Sequence, residues 1–554
     1  MWQKHYLTII IIIQQFNNSM KLRNIIFPVC LVAHSLFVNA QDQAPENWYN
    51  LDMGTDKVQG VSTEKAYKEL LKDKQSSTVV VAIIDSGIDE EHEDLKDVMW
   101  INKGEIAGNG IDDDKNGYID DIYGWNFIGG KDGKHVGKDS YELTRLYVYL
   151  KNKKRNKKEE EQYKKIREEY DAKVTGMQKN MQETQAIHGV VTALLDALGS
   201  KPMTAENVKA IEAKGEKITM AKQLFEAVFV PQLAVQGKTE QDTINGKEIV
   251  KQLEGALEYY GGGLEHGYSE EFDPRDIVGD NYMKSNEKFY GNNDITGPDA
   301  THGTHVAGIV GAVRTNDLGN KGVADNVRLM AVRVVPDGDE RDKDVANGII
   351  YAVDNGAKII NMSFGKGFAF DKKIVDKAVK YAERKGVLLV HAAGNSALNT
   401  DVESNYPNKY MKDKKNKVYK NWLEVGALSW KGGADAPAVF SNYGKDNVDL
   451  FAPGVDIYAT VPGSKYEALS GTSMASPVTA GVAALVWSYY PELTMKELRK
   501  CLVESTVKVT DHVNLPGSHG AKQVEFKELC NTSGVVNAYN ALKMAEKIVA
   551  GKKK

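Results

Sequence analysis

Unbroken runs of β-branched and aliphatic residues mark the strands of a sheet that is buried on both faces. The first run is Thr78 to Ile84, and five others follow it: Val327 to Val335, Lys358 to Phe364, Val387 to His391, Trp422 to Leu428 and Val448 to Phe451. Runs without polar alternation are typical of parallel strands covered on both sides. Helical periodicity lies between them, in Lys343 to Asn355 and in Asp371 to Lys385. This alternation predicts an α/β fold with a three-layer, doubly wound, mainly parallel sheet.

A long segment between the first strand and the others has a different pattern. Tyr141 to Ala172 is rich in Lys, Arg and Glu, whereas Gln185 to Leu198 and Ala205 to Val230 carry apolar residues at helical spacing. We predict two or three long helices here, closed by Gly261-Gly262-Gly263. The predicted organisation is an N-terminal extension with a signal peptide (1–40), the first part of the α/β domain (41–132), a helical insertion (133–268) and the second part of the domain (269–554).

The N-terminus resembles a targeting segment. Lys21 and Arg23 precede the apolar run Ile25 to Val38, and small residues end the run at Ala40. We expect cleavage after Ala40, which makes the mature protein secreted, periplasmic or extracellular, with no membrane association. Met20 begins a complete signal peptide, so it is an alternative start to Met1. An uncleaved anchor is the other open interpretation, although the run is shorter than the ~20 residues of a spanning helix.

Charge and cysteine content narrow the classes further. The net charge is −5 over 554 residues, and basic runs are matched by neighbouring acidic ones, so we expect no nucleic-acid partner. After removal of the signal peptide, Cys501 and Cys530 remain. In an oxidising compartment they form either a disulfide, which we expect, or two buried free thiols.

Four short blocks carry residues suited to nucleophilic catalysis. Ser473 begins a helix in Gly-Thr-Ser-Met-Ala-Ser-Pro, where free backbone N–H groups favour negative charge. His302 opens the helix of Thr-His-Gly-Thr-His-Val-Ala-Gly. Asp85 ends the first strand, at the edge of the sheet where α/β sites form, and a carboxylate there can orient an imidazole. Asn395, in Ala-Ala-Gly-Asn-Ser, can donate to a developing oxyanion.

Each block also has a structural interpretation. Ser473 can be a helix N-cap, and Asp85 and Asn395 can be turn residues. His302 and His305 are three residues apart and invite a metal interpretation, but the His-Glu-x-x-His pattern of zinc proteases is absent from this block.

Taken together and in their chain order, Asp85, His302 and Ser473 with the Asn395 block between the second and the third, the blocks resemble the signatures of the subtilisin-like serine peptidases. The resemblance covers roughly Gln75 to Phe127 and Asn292 to Ala541. It implies a serine endopeptidase with a triad of Asp85, His302 as general base and Ser473 as nucleophile, with Asn395 as an oxyanion donor. It also implies that Ser363, Phe364 and Gly365 form an exposed edge that pairs with the backbone of protein or peptide substrates.

This chain departs from the family pattern in two places. Thr301 stands where the family has Gly before the histidine. The interval between Asp85 and His302 is far longer than usual, so the insertion has no role that the resemblance transfers. We expect its helices to cover or flank the cleft. A catalytically silent binding protein, a processing protease of narrow specificity and an exopeptidase remain the competing hypotheses.

An acidic loop predicts a calcium site. Asp112, Asp114 and Asn116 alternate, a Gly occupies the sixth place of the loop, and the carbonyl of Tyr118 follows, as in the first half of an EF-hand loop. The twelfth position is Tyr123 rather than Glu, so we assign closure to Asp120 or Asp121, with Asp121 preferred. The alternative is an acidic surface turn. The chemistry itself needs no cofactor.

Overall fold

A computed structural model describes residues 44–226, 230, 239, 242–412 and 417–552. The predicted signal peptide, with its cleavage site after Ala40, lies outside these residues. None of the helices within them is long and apolar enough to cross a membrane. The chain divides into two compact units, one of which includes 147–270 and the other 44–146 together with 271–554.

The larger unit is built on a nine-stranded sheet with the order β10-β13-β7-β6-β5-β4-β1-β3-β2. Every neighbouring pair is parallel except β10 with β13. Two short antiparallel pairs, β8–β9 and β11–β12, lie outside this sheet. The strands are β1 (Val79–Asp85), β2 (Gly124–Asn126), β3 (Val327–Arg333), β4 (Ile359–Met362), β5 (Leu388–Ala392), β6 (Trp422–Leu428), β7 (Leu450–Pro453), β8 (Ile457–Val461), β9 (Lys465–Leu469), β10 (Val507–Lys508), β11 (His512–Asn514), β12 (Gln523–Glu525) and β13 (Gly534–Val535).

Helices cover the sheet and form most of the smaller unit. In chain order the α-helices are α1 (Met53–Asp56), α2 (Thr63–Ala66), α3 (Glu142–Asn152), α4 (Lys157–Leu198), α5 (Ala205–Lys209), α6 (Glu216–Leu224), α7 (Gly246–Gly262), α8 (Thr301–Gly311), α9 (Asp342–Asp354), α10 (Lys372–Lys385), α11 (Thr472–Tyr489), α12 (Met495–Glu504) and α13 (Ala538–Lys552). Ala82 and Ile84 of β1 share a buried cluster with α9 and α10, whereas α8 and α11 contact each other and the strands. The predicted three-layer α/β class is confirmed.

The helical unit differs in detail from the predicted arrangement. The expected separate helices at Tyr141–Ala172 and Gln185–Leu198 are largely one 42-residue helix, α4, which begins with a capping box at Asn156 and Glu159. Its C-terminal half packs on α7 around a buried cluster that includes Leu194 and Leu253. The Gly261-Gly262-Gly263 run does not close the insertion, because the helix continues through it as a π-helical turn to Gly267. Helix propensity is a weak prior that packing overrides.

The two cysteines do not form the expected disulfide. Cys501 and Cys530 are both free and buried. Cys501 lies on the buried face of α12, whereas the Cys530 thiol packs near the Thr532 hydroxyl and the Gly534 carbonyl, 3.9 Å from each. Burial raises the pKa of both thiols to about 11, which keeps them protonated and unreactive at neutral pH. The alternative of two free thiols holds.

Candidate active site

The carboxyl end of β1 brings the first two candidate residues together. Asp85 is the last residue of this strand, and His302 is the second residue of α8. Their side chains meet with 2.6 Å between His302 Nδ1 and Asp85 Oδ1, and the same oxygen accepts a hydrogen bond from the backbone N–H of Ser86. The Asp85 side chain is 2% exposed. A buried carboxylate bonded to Nδ1 fixes the tautomer and orientation of the ring, which leaves Nε2 for chemistry.

Electrostatics at this pair favour the protonated imidazole. Burial lowers the pKa of His302, but the charge and hydrogen bond of Asp85 outweigh burial and leave the pKa raised above its ordinary value. An imidazolium formed during proton transfer is therefore stabilised where it forms.

Close packing of α8 on the end of β1 depends on a glycine. A Cβ atom on Gly303 would lie 2.1 Å from the Gly87 carbonyl oxygen and 3.2 Å from the Asp85 side chain. No larger residue fits without moving the helix, because real Cβ contacts are not this short. The glycine beside His302 is therefore part of what sets the distance between the imidazole and the carboxylate.

Ser473 is the second residue of α11. A proline four residues later leaves the Ser473 carbonyl without its helical donor, so this carbonyl can accept a hydrogen bond from the residue after β4. Pro477 lies inside the helix rather than near its start, and it has no N–H to donate to the Ser473 carbonyl. The Ser363 hydroxyl donates to that carbonyl instead, at 2.8 Å. The Ser473 hydroxyl in turn donates to the Ser363 carbonyl at 3.1 Å. Two reciprocal hydrogen bonds thus hold the residue after β4 against the candidate nucleophile.

The Ser473 hydroxyl is directed toward Ser363 rather than His302 in this arrangement. A hydroxyl proton rotates to suit its partner, so the bond has to be redirected to His302 Nε2 before proton transfer. Catalytic hydrogen bonds in ligand-free sites are often incomplete and tighten in the complex.

Asn395 lies beside the first turn of α11. Its side-chain carbonyl accepts hydrogen bonds from both the N–H and the hydroxyl of Thr472, each at 2.8 Å. These bonds orient the amide, so the Nδ2 group faces Gly471, where an added Cβ would lie 3.4 Å from it. An amide N–H₂ beside the N-terminus of a helix is a suitable donor set for an oxyanion.

The residues that follow β4 form an edge with free backbone groups. Phe364 is 9% exposed, and its ring meets the His391 ring edge-on. Within the described residues, the backbone N–H and C=O groups of Phe364 and Gly365 make no hydrogen bond. Free backbone groups of this kind can pair with an extended peptide.

The second histidine of the block is structural. His305 is fully buried, and its Nε2 lies 3.0 Å from the carbonyl oxygens of Ile457 and Glu467. Burial is the largest effect on this group and lowers its pKa to about 3, so the ring is neutral. Since Nε2 is used by backbone carbonyls, the metal interpretation of His302 and His305 has no support from the geometry.

The acidic loop brings together only part of the predicted calcium set. Carboxylate oxygens of Asp114 and Asp121 lie with one from Glu105 within 4.8 Å of one another. Asp112 accepts hydrogen bonds from the backbone N–H groups of Asn116 and Gly117 and thereby shapes the turn. The side-chain oxygen of Asn116 accepts from the N–H of Tyr118.

Glu105 is a residue that the sequence reasoning missed. It accepts hydrogen bonds from the N–H groups of Asp114 and Asp120, which brings it back onto the loop. Burial, with the nearby charge of Asp114 adding to it, raises the pKa of Asp121 to about 6. Three converging carboxylates, one of them poorly solvated, are the oxygen-rich donor set that Ca²⁺ prefers, so these residues fit a hard divalent cation.

Comparison with known proteins identifies a family and several relatives. The profile of the Subtilase family matches residues 76–522. The chain is 44% identical to a thermophilic serine proteinase of Bacillus sp. (strain AK1), over 34% of this chain and 42% of that protein. It is 37% identical to a thermostable alkaline protease of Halalkalibacterium halodurans, over 43% of this chain and 59% of that protein. It is 38% identical to thermitase of Thermoactinomyces vulgaris, over 44% and 74%.

The matched segments thus span less than two thirds of the first two of these relatives and about three quarters of thermitase. The family profile covers most of the present chain, including the strands and helices that carry Asp85, His302 and Ser473. The chain belongs to the subtilase family.

Proposed function

We propose that this protein is a secreted serine endopeptidase that hydrolyses peptide bonds through an acyl-enzyme, with Asp85, His302 and Ser473 as its triad. The observation that carries the proposal is the 2.6 Å contact of His302 Nδ1 with the buried Asp85 carboxylate, at the same end of the sheet as the helix start that bears Ser473. His302 Nε2 takes the proton of Ser473 Oγ as the oxygen attacks the carbonyl carbon. The imidazolium then gives that proton to the leaving amine, and water repeats the sequence to release the acyl group.

Charge that develops on the carbonyl oxygen needs donors on the helix side of the site. The backbone N–H of Ser473, in the first turn of α11, and the Asn395 amide would supply them. The helix terminus adds a positive end of the backbone dipole at the same place. Because Thr472 already orients Asn395, little reorganisation is needed when the charge forms.

Substrate is expected to bind as an added strand. Phe364 and Gly365 offer the free backbone groups of the Ser363–Gly365 edge, and the Ser363–Ser473 hydrogen bonds fix the distance between this edge and the nucleophile. Main-chain pairing accepts many sequences, so protein or peptide substrates fit this arrangement.

A calcium ion would stabilise the fold without entering the chemistry. Glu105, Asp114 and Asp121 would hold it, with Asp112 shaping the loop around the ion and Asn116 and the Tyr118 carbonyl as further oxygen donors. The ion would neutralise carboxylates that otherwise repel one another.

The experiment that tests the proposal is labelling with a serine-reactive fluorophosphonate, followed by mass spectrometry of the secreted protein. Label is expected on Ser473, together with a mature N-terminus at Gln41. Ser473→Ala should abolish both labelling and peptide hydrolysis. Ser476→Ala is the matched control, because Ser476 lies on the same helix and its hydroxyl bonds only the buried Asn361 side chain. Label on a different serine, or hydrolysis that persists in Ser473→Ala, would refute the assignment.

A further inference from the structure

The free edge beside Ser473 is short, and the residue that ends it is held in place. Lys366 follows Gly365, and its backbone N–H and C=O both pair with Tyr406, at 2.9 and 2.8 Å. We call Ser363–Gly365 the pairing edge. Since paired strands advance together by about 3.3 Å per residue, this edge matches about three substrate residues.

A second segment of the larger unit lies across the end of the pairing edge. We call this segment, Gly137–Arg145, the strap. Its backbone pairs with Asp337 through Asp139 N–H and the Gly137 carbonyl. Contact is so close that a Cβ on Gly338 would lie 2.1 Å from the Asp139 carbonyl oxygen.

Lys366 joins the strap to the pairing edge. Its ammonium lies 2.7 Å from Glu142 of the strap, 2.8 Å from Asp342 and 2.5 Å from the backbone carbonyl of Glu340. The side chains of Lys366 and Glu142 are 1% and 0% exposed. Burial raises the pKa of Glu142, but Arg145 and Lys366 outweigh it and lower the pKa to about 2, so the pair is ionised. At Lys366 the edge therefore offers a peptide no free backbone group, because that backbone is paired with Tyr406 and the side chain is held in a buried ion pair.

The closed end has more acidic than basic groups. Its buried or half-buried basic residues are Arg145, Arg341 and Lys366, and its buried or half-buried acidic residues are Asp139, Glu142, Asp339, Glu340 and Asp342. The exposed Lys138 and Asp273 add one charge of each sign. One carboxylate oxygen of Glu142 and one of Glu340 are buried without a hydrogen-bond partner. Burial raises the pKa of Glu340 to about 8, so this group is protonated at neutral pH, and the remaining acidic excess lies with Asp339, whose pKa burial also raises.

Of these two acidic residues, the less buried one is Asp339. This residue is half-buried, and one of its oxygens accepts the N–H of Glu142. A cation that arrives at Asp339 would supply the charge that the cluster lacks, whereas a carboxylate would be repelled.

We propose that the strap closes the pairing edge after about three substrate residues, and that the acidic excess at Asp339 selects a positive charge there. The charge is either the α-ammonium of the substrate or a Lys or Arg side chain. A peptide that continues in extended form to a neutral residue at the fourth position before the scissile bond is disfavoured as a substrate. Because the closed end repels a carboxylate, the edge takes residues on the amino-terminal side of the scissile bond. This inference rests on the proposed peptidase activity.

The test uses peptides with a fluorogenic amide as leaving group, so that every residue lies on the amino-terminal side of the cleaved bond. Their length runs from two to six residues, with a free or acetylated amino group. We expect kcat/KM to rise up to three residues. The free tripeptide should exceed its acetylated form by about tenfold, the low end for a charge-assisted hydrogen bond. Acetylated hexapeptides with Lys at the fourth position, compared with the same peptides with norleucine there, show whether the positive charge of a side chain is selected. The free and acetylated tripeptides show whether the charge of the α-ammonium is selected.

Two variants test the residues themselves. Asp339→Asn should bring the ratio of kcat/KM for the free and the acetylated tripeptide close to one. The control is Asp132→Asn, which removes an exposed carboxylate paired with Lys134 and should keep the wild-type ratio. The double variant Glu142→Gln/Lys366→Met removes one buried charge of each sign, so the net charge of the closed end does not change. It should raise kcat/KM for acetylated neutral hexapeptides relative to tripeptides.

Fluorophosphonate labelling separates the two levels of failure. Without labelling at Ser473, the peptidase proposal itself fails. With labelling, equal rates for acetylated neutral hexapeptides and free tripeptides in the wild-type protein would overturn the strap proposal, as would an unchanged ratio in Asp339→Asn.

Discussion

The hydrogen bond from the Ser363 hydroxyl to the Ser473 carbonyl allows a quantitative test of how the edge is tied to the nucleophile. This carbonyl lacks its helical partner because residue 477 is proline. We consider Ser363→Ala in a Ser473→Ala background, in which self-digestion cannot occur. The change removes the donor to a buried carbonyl and also the acceptor of the Asn361 amide, 2.9 Å away.

The expected cost follows from these two contacts. A buried polar group left without a partner costs about 1–3 kcal/mol, and two groups are affected, so we expect a loss of about 2–6 kcal/mol in the free energy of unfolding. Pro477→Ala provides the control, because alanine restores an N–H that can donate to the Ser473 carbonyl within the helix. In that background Ser363→Ala should cost about 1 kcal/mol less.

Urea unfolding of the four combinations measures both quantities, from the midpoints and the slopes of the larger unit's transition. Equal costs of Ser363→Ala with Pro477 and with Ala at position 477 would refute the reasoning. So would a cost below about 0.5 kcal/mol, the level of an ordinary surface change. In the protein that retains Ser473, fluorophosphonate labelling of Ser363→Ala should persist, since the Ser473 hydroxyl bonds a backbone carbonyl that the change leaves in place.

Four further outcomes are expected. Asn395→Ala should lower kcat by about 10² to 10³, the loss that removal of one oxyanion-hole donor causes in a subtilisin, with little change in the melting temperature; an unchanged kcat would exclude an oxyanion role. Because Asp85 raises the pKa of His302 and the neutral ring is the base, kcat/KM should fall as pH drops through a value above the ordinary ~6.5 of histidine. In Asp85→Asn the acid limb of this pH profile should move to lower pH, and kcat should fall by about 10⁴. An acid limb that does not move would argue against the Asp85–His302 pair. The same shift means that the pair stabilises the fold fully below the pKa of an unfolded histidine and loses this effect as pH rises through the raised value. Calcium at about a hundredfold over Kd should add roughly 2.7 kcal/mol to the free energy of unfolding of Ser473→Ala protein, and Glu105→Gln/Asp121→Asn should abolish this gain. Identical thermal melts with calcium and with chelator would mean that the loop is an acidic turn that binds no calcium. Cys501 and Cys530 should react with a thiol reagent only after unfolding, with two thiols counted in non-reduced protein.

Local patterns in the sequence were sufficient for six strands of the nine-stranded sheet, β1 and β3 to β7, and for the chain order of the three candidate triad residues. The run Thr78 to Ile84 predicted a buried strand, and β1 spans Val79–Asp85. A parallel strand buried on both faces has no polar position to interrupt it, so its signal is contained in seven consecutive residues. The same holds for Asp85, whose position at the strand end follows directly from where the apolar run stops.

Patterns that change along one element were less informative. The charged and apolar halves of α4 were assigned to separate helices, although the chain runs through both as one helix. Composition changed within the element because only its C-terminal half packs against the cluster with Leu194. The glycine run at Gly261–Gly263 was similarly taken as an end, but local propensity is weaker than the contacts that surround a helix.

The remaining features depend on residues that are distant in the chain. From sequence alone one reads that Asp85, His302 and Ser473 have the right chemistry, that the domain is α/β and that a loop is acidic. The fold adds the 2.6 Å contact across 217 positions between Asp85 and His302, the return of Glu105 onto its loop and the separation of Cys501 from Cys530. It also adds the buried pair of Glu142 and Lys366. Spacing along the chain carries no information on such pairs, because burial, desolvation and partner choice arise only when separate segments pack against one another.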